Sequence, residues 1–266
     1  MERVEIDGLS VAFERSGHGP PLLLLHGILG DSRLWRRQLE RLSSDFTVVA
    51  WDTPGCGRSS DPPESFRMGD FAELLARFSG ELRLERPAVL GLSWGAVLAL
   101  QLCETAPEVP AALILASGYA GWAGSLPADV VAERLEQARR ESDLLPEAFV
   151  PGWIPGLLTD RAPSTMVDEV TGIMSEFHPA GYRSMAEAVA AADLRNVLPA
   201  IRVPTLILHG ELDRRSPIPV AERLKEQIPG SVLVVMGGVG HLANVEAADR
   251  FDAEVQAFLR SQGGPA

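Results

Sequence analysis

Short, unbroken apolar runs recur along the chain at LLLLH (22–26), TVVAWD (47–52), PAVLGLS (87–93), AALILASGY (111–119), PTLILHG (204–210) and SVLVVMG (231–237). Runs of this length without alternation are what strands buried on both faces of a parallel sheet require. Between them the apolar positions fall at helical spacing, in DSRLWRRQLERLSS, FRMGDFAELLARFSGELRL, WGAVLALQLCETAP, PVAERLKEQIP and the stretch from Ala247 to Arg260. Strand and helix therefore alternate, which predicts an α/β fold with a mostly parallel sheet. The opening segment, MERVEIDGLSVAFERSG, interleaves charged and apolar residues instead and predicts a hairpin with one solvated face.

One interval breaks the alternation. From about Gly121 to Pro199 no strand pattern occurs, whereas helical patterns do, in ADVVAERLEQARRESDLL, STMVDEVTGIMSEF and RSMAEAVAAADLRNVL. Pro127, Pro146, Pro151, Pro155, Gly156, Pro163 and Pro179 punctuate it. Nearly eighty residues are far more than one crossover between parallel strands needs. The expected organisation is a core domain of residues 1–120 and 200–266 with a helical cap, 121–199, inserted between two strands. No internal repeat or low-complexity tract stands out apart from the tail SQGGPA.

The 266 residues are 46% hydrophobic and 23% charged, enough for one large globular domain carrying an insertion. A formal net charge of −12, with Lys225 as the sole lysine, argues against binding a phosphate backbone, so nucleic acid is not an expected partner. The N-terminus has no apolar segment of secretory length, and the longest early apolar run is far too short to span a bilayer. A cytoplasmic protein with no membrane partner is expected. Cys56 and Cys103 lack metal-type spacing, which fits a reducing compartment, and neither reads as catalytic, since Cys56 lacks a neighbouring base and Cys103 reads as a core residue on an apolar helix.

The chemistry concentrates at Gly91-Leu92-Ser93-Trp94-Gly95, at the end of one strand pattern and the start of a helical one. A serine at the apex of a strand–turn–helix occupies strained backbone, and the residues two before and two after it must be small. Ser93 is the predicted nucleophile. A serine hydroxyl needs a base within reach and a third group to orient that base. Of the five histidines, His241 occupies a loop, GGVGHLAN, between the last strand and the last helix, where open α/β sheets build their sites. His241 is the predicted base. The loop after PTLILHG offers Asp213, the predicted acid, with Glu211 in reserve; Asp52 reads as a turn residue that binds backbone amides. For the negative oxygen of an acyl-transfer intermediate, the predicted donors are the backbone N–H groups of Trp94 and of Ile28 in His26-Gly27-Ile28-Leu29-Gly30, with Leu29 the weaker choice.

The elements HGILG, DTPGCGRS, GLSWG, GELD and GVGH, in this order over about residues 2 to 260, resemble the α/β-hydrolase fold superfamily. Within it the chain looks most like the small capped hydrolases that include 3-oxoadipate enol-lactonases and related carboxylesterases. The resemblance implies an eight-stranded, mostly parallel sheet, a Ser-Asp-His triad at Ser93, Asp213 and His241, and no cofactor or metal. Enol-lactonases usually carry Met and a second Gly after the nucleophile, where this chain has Trp94-Gly95-Ala96. Ser-Trp-Gly is similar to proline iminopeptidases, but HGILG departs from their His-Gly-Gly-Pro-Gly loop. Dehalogenases and most epoxide hydrolases of this fold use aspartate where Ser93 stands.

The expected activity is hydrolysis of a small carboxylic ester or lactone through an acyl-enzyme, by a monomer or homodimer. Trp122, Trp153, Ile154, Leu157, Met174 and Phe177, with Trp94 below, would line an apolar pocket, and His178 and Tyr182 could orient a polar substrate group. Motif spacing equally fits a carbon–carbon hydrolase acting on a vinylogous diketone. More remote alternatives are a peptidase and a non-catalytic receptor that keeps the fold.

Overall fold

A computed structural model describes residues 1–262; the end of the SQGGPA tail, residues 263–266, lies outside the described residues. The strands are β1 (Glu2–Ile6), β2 (Leu9–Ser16), β3 (Pro21–Leu25), β4 (Thr47–Trp51), β5 (Ala88–Leu92), β6 (Ala112–Ala116), β7 (Thr205–Gly210) and β8 (Val232–Met236). They form one sheet in the order β1-β2-β4-β3-β5-β6-β7-β8. The N-terminal hairpin pairs antiparallel with itself and with β4, and every later pairing is parallel.

Burial on both faces explains the unbroken apolar runs of β3 to β7, but not that of β8, an edge strand whose Val232 and Val235 are exposed. Leu22 to Leu25 of β3 are all fully buried, Leu23 and Leu25 in the core on one face and Leu22 and Leu24 in the core on the other. Each such side chain contributes about 1.5–3 kcal/mol of transfer free energy. β3 is also where the chain order reverses, with β4 on one side and β5 on the other. Register Leu25↔Gly91 sets the loop after β3 beside the turn after β5, and loops at such a switch point form a crevice.

The helices are α1 (Arg36–Arg41), α2 (Met68–Glu81), α3 (Trp94–Thr105), α4 (Trp122–Ser125), α5 (Ala128–Glu141), α6 (Pro146–Leu157), α7 (Ser164–Ser175), α8 (Pro179–Ala191), α9 (Ile218–Gln227), α10 (Ala243–Glu246) and α11 (Ala248–Ser261). α2, α3 and α9 cover one face of the sheet, α1 and α11 the other. The pattern at 31–44 predicts one helix, but α1 has only six residues with a 3₁₀ turn on each side.

Five helices, α4 to α8, occupy the interval between β6 and β7. The prolines there act in two ways. Pro127 and Pro163 cap α5 and α7, and Pro146 and Pro179 begin α6 and α8, where a missing N–H costs nothing. Pro151 and Pro155, by contrast, lie inside α6, where the sequence pattern predicts punctuation. A helix-interior proline costs about 3 kcal/mol. The opposing term is tertiary: Phe149, Val150, Trp153 and Leu157 form a buried stripe along α6. No helix among the described residues is long and apolar enough to cross a membrane.

Candidate functional site

Ser93 follows β5 directly and adopts φ 53° and ψ −109°, a left-handed backbone that costs a non-glycine residue about 1–3 kcal/mol. Its N–H donates to Ala116 O (2.8 Å), and its carbonyl accepts from Ala96 N (3.0 Å), so sheet and helix hold the turn from both sides. The two glycines are needed for close approach. A Cβ on Gly91 would lie 2.5 Å from Ala96 N, and one on Gly95 would lie 2.7 Å from the Leu25 carbonyl carbon.

Asp213 follows β7 and is buried. Its Oδ2 accepts from His241 Nδ1 (2.8 Å), while Oδ1 accepts from the N–H groups of Arg215 and Ser216 (2.8 Å each). Burial pushes the Asp213 carboxyl upward, but the charge and hydrogen bond of His241, the Ser216 N–H and the charge of His209 together hold it below the usual carboxylate range. His241 follows β8 and is fixed through its backbone: Ser117 Oγ donates to His241 O (3.0 Å), and Leu242 N donates to Leu157 O at the end of α6 (3.0 Å). With Nδ1–H engaged by Asp213, the free imidazole nitrogen is Nε2. Glu211 does not reach His241; it accepts from Gly238 N (2.8 Å).

The loop after β3 is braced by His26, which is fully buried. Its Nδ1–H donates to Gly27 O (2.8 Å) and its Nε2 accepts from Thr53 N (3.0 Å), while burial lowers its pKa and keeps it neutral. Asp52 accepts from Ser32 N (2.8 Å) and Arg58 N (2.9 Å), so it ties the loops after β3 and β4 together. Among the described residues, neither the N–H of Ile28 nor that of Trp94 donates a hydrogen bond, and Leu29 has positive φ in the same turn. Burial raises both cysteine thiols, Cys103 to about 12. No three His, Cys, Asp or Glu side chains gather as a metal site among the described residues.

One cavity joins these parts. Ser93, His241 and Ile28 line it from the sheet side, and Trp122, Trp153, Leu157 and Met174 from the helices between β6 and β7. The cavity is a slot of about 510 Å³ between the sheet and these helices. Ser93 and His241 both line this cavity but are not hydrogen-bonded to each other among the described residues.

Several expected lining residues lie elsewhere. Phe177, His178 and Tyr182 line a separate, smaller cavity with Cys56 and Gly57. Their side chains are committed: Tyr182 donates to Glu141 Oε2 (2.7 Å), His178 Nδ1 meets Asp61 Oδ1 (2.7 Å), and Phe177 packs edge-on against Phe149 (5.2 Å) and Tyr182 (5.8 Å). Ile154 packs against the core rather than into the slot. The Trp94 indole turns away from it, donating to Met185 O of α8 (3.1 Å) and meeting Phe71 of α2 edge-on (5.3 Å).

Among the slot residues that the sequence pattern did not single out, Tyr119, Arg134 and Arg215 are the polar ones. The Arg215 guanidinium lies 3.7 Å from the centre of the Trp153 ring, and that of Arg134 lies 5.6 Å from the Trp122 ring. Arg134 donates to Arg215 O (2.9 Å) and to Tyr119 Oη (3.3 Å), and Tyr119 donates to Arg215 O. Two adjacent arginines after Asp213 were a visible signal, but sequence alone does not say which one turns inward. Arg214 is exposed.

Comparison with known proteins matches residues 22–254 to a family described as the alpha/beta hydrolase family. The chain is 27% identical to a pimeloyl-[acyl-carrier protein] methyl ester esterase of Aliivibrio salmonicida over 95% of this chain and 97% of that one. It is 26% identical to 3-oxoadipate enol-lactonase 2 of Acinetobacter baylyi over 90% and 89% of the two chains. Among solved structures, a thermophilic esterase from Thermogutta terrifontis superposes with a TM-score of 0.91 at 28% identity, covering 98% of this chain and 99% of that one.

Proposed function

The chain belongs to the alpha/beta hydrolase family, and on that premise we propose that it hydrolyses a carboxylic ester or lactone through an acyl-enzyme formed on Ser93. The observation that carries this reading is the 2.8 Å bond between Asp213 and His241, set at a cavity that Ser93 also lines. The names of the esterase and lactonase relatives support the choice of bond.

In this mechanism Ser93 Oγ attacks the carbonyl carbon while His241 Nε2 takes its proton. Asp213 fixes the Nδ1–H tautomer and stabilises the imidazolium that forms. The negative oxygen is received by the N–H groups of Ile28 and Trp94, which have no competing acceptor among the described residues. His241 then protonates the leaving oxygen, and water repeats the sequence on the acyl-enzyme to release the acid. The helices of residues 121–199 act as the cap, and their Trp122, Trp153, Leu157 and Met174 hold the apolar part of the substrate.

The test is Ser93→Ala together with fluorophosphonate labelling. The variant is expected to lose several orders of magnitude, about 10⁴-fold or more, in kcat/KM on a small ester. Wild-type protein should take up one label at Ser93. Turnover that persists in the variant above a few per cent would refute the mechanism. Parallel turnover of a ring-cleavage dienoate would shift the bond cleaved from ester to carbon–carbon.

A further inference from the structure

The slot is apolar on nearly every side, yet two arginines line it and no aspartate or glutamate does. The chain as a whole carries a net charge of −12, so this is an island of positive charge in an acidic protein. Neither arginine has a carboxylate within ion-pair distance among the described residues. Arg134 is at least hydrogen-bonded, through Tyr119 and Arg215 O. The Arg215 guanidinium is not: among the described residues its hydrogen bonds run through backbone N and O alone, and its charged end meets the Trp153 ring.

Glu141, a carboxylate whose charge bears on Arg215, is already engaged. Glu141 Oε2 accepts from both Trp153 Nε1 (3.0 Å) and Tyr182 Oη (2.7 Å), which fixes that carboxylate behind the tryptophan. Burial and then the like charge of Arg134 pull the Arg215 pKa below its ordinary value, against the opposing charge of Glu141, and a cation withdrawn from water without a paired anion is costly to hold. A withdrawn guanidinium presents a fork of N–H donors that matches a carboxylate. The cost is offset when an anion arrives to share those donors.

We infer that the substrate carries a carboxylate besides the bond that is cleaved, and that Arg215, stacked on Trp153 and backed by Arg134, is the residue that receives it. The substrate class is then a half-ester of a short dicarboxylic acid, a carboxylate-bearing lactone, or an ester of a hydroxy acid. This rests on the Ser93 ester-hydrolysis reading for the position of the carbonyl, but the arginine pair stands on its own geometry.

The experiment compares matched pairs that differ only in charge. In one arm, monomethyl esters of short α,ω-diacids of increasing length are set against the same esters with the free carboxylate replaced by a primary amide. In the other, carboxymethyl butyrate is set against carbamoylmethyl butyrate, so that the two arms place the charge on the acyl or the alcohol side. Acid release is followed in a pH-stat. Wild type is expected to prefer the carboxylate by at least about thirty-fold in kcat/KM in one arm, the scale of a desolvated charge pair. Arg215→Met should collapse that ratio towards one, and Arg215→Lys should retain part of it. The ratio is internal to each variant, so a partly unfolded preparation does not mimic the result.

Calorimetric titration with adipate and with adipamide reads the same preference without turnover. If no ester is hydrolysed but adipate binds in an Arg215-dependent way, the ester reading falls and the anion subsite stands. If neutral esters are hydrolysed through Ser93 and neither assay shows a preference for charge, or the preference survives Arg215→Met, the anion subsite falls and the ester reading stands.

Discussion

Gly95→Ala tests how Ser93, the proposed nucleophile, is held. The added methyl would lie 2.7 Å from the Leu25 carbonyl carbon and 2.8 Å from His26 O, and closer still to Leu25 O. That is roughly 0.7 Å short of ordinary van der Waals separation. The strand cannot yield, because β3 is laddered to β4 on one side and β5 on the other. The start of α3 must move instead, and it carries the Trp94 N–H away from Ile28. Overpacking against backbone should cost about 3 kcal/mol, the upper end of the usual range. For a chain of this length that is a fall in Tm of about 5 °C. Displacing the donors by about an ångström should lower kcat/KM about a hundred-fold. Thermal unfolding and initial rates on a small ester measure both. Gly80→Ala in α2 is the control: its Cβ would meet nothing within 4 Å, and a gain of about 0.4–1 kcal/mol is expected with no change in rate. A Gly95→Ala protein that unfolds within 2 °C of wild type and keeps its rate would refute the close-approach argument.

The acid can be assigned by a pair of variants. Asp213→Asn should lower kcat by about 10³–10⁴-fold, whereas Glu211→Gln, which only loosens the bond to Gly238 N, should stay within about three-fold; the opposite order would move the acid to Glu211. Trp94→Phe should lower Tm through the lost bond to Met185 O while leaving the ranking of ester substrates unchanged, and an altered ranking would put the indole back in the slot. His26 and His209 have pKa values lowered by burial, so below pH 6.5 the unfolded chain takes up protons that the native state refuses. Their contribution is present above that pH and lost as pH falls, by at most about 2.5 kcal/mol for the two between pH 7 and 5.5. An unchanged urea midpoint across that interval would contradict it.

Local patterns carried most of the fold. Five of the six apolar runs became parallel strands buried on both faces, where no polar interruption is permitted, whereas the sixth, β8, is an edge strand with Val232 and Val235 exposed; the Gly-x-Ser-x-Gly turn is dictated by steric contact over a few residues. Asp213 and His241 could be picked out because the ends of parallel strands converge by topology, and the structure brings them to 2.8 Å. What sequence missed depends on which way a helix faces. α6 runs through Pro151 and Pro155 because its buried stripe outweighs the lost backbone bonds, a term invisible in a local window. For the same reason Phe177 and Tyr182 join an aromatic cluster with Phe149 and His178 turns to Asp61 instead of the slot, and Trp94 packs between α2 and α8. The inward turn of Arg215 is equally non-local, since it is set by Trp153 some sixty residues earlier.

Asp213 is used on both sides: one oxygen holds His241 and the other gathers the amides of Arg215 and Ser216. The orientation of the imidazole and the placement of the arginine therefore share a single short segment. For the divergence of such proteins this makes the loop after β7 a poor place to experiment, because any insertion there that moves Arg215 also misaligns His241, the proposed base. Trp122, Trp153, Leu157 and Met174 carry no such double duty. New substrate choices are expected to accumulate in residues 121–199 while the segment around Asp213 stays fixed in length.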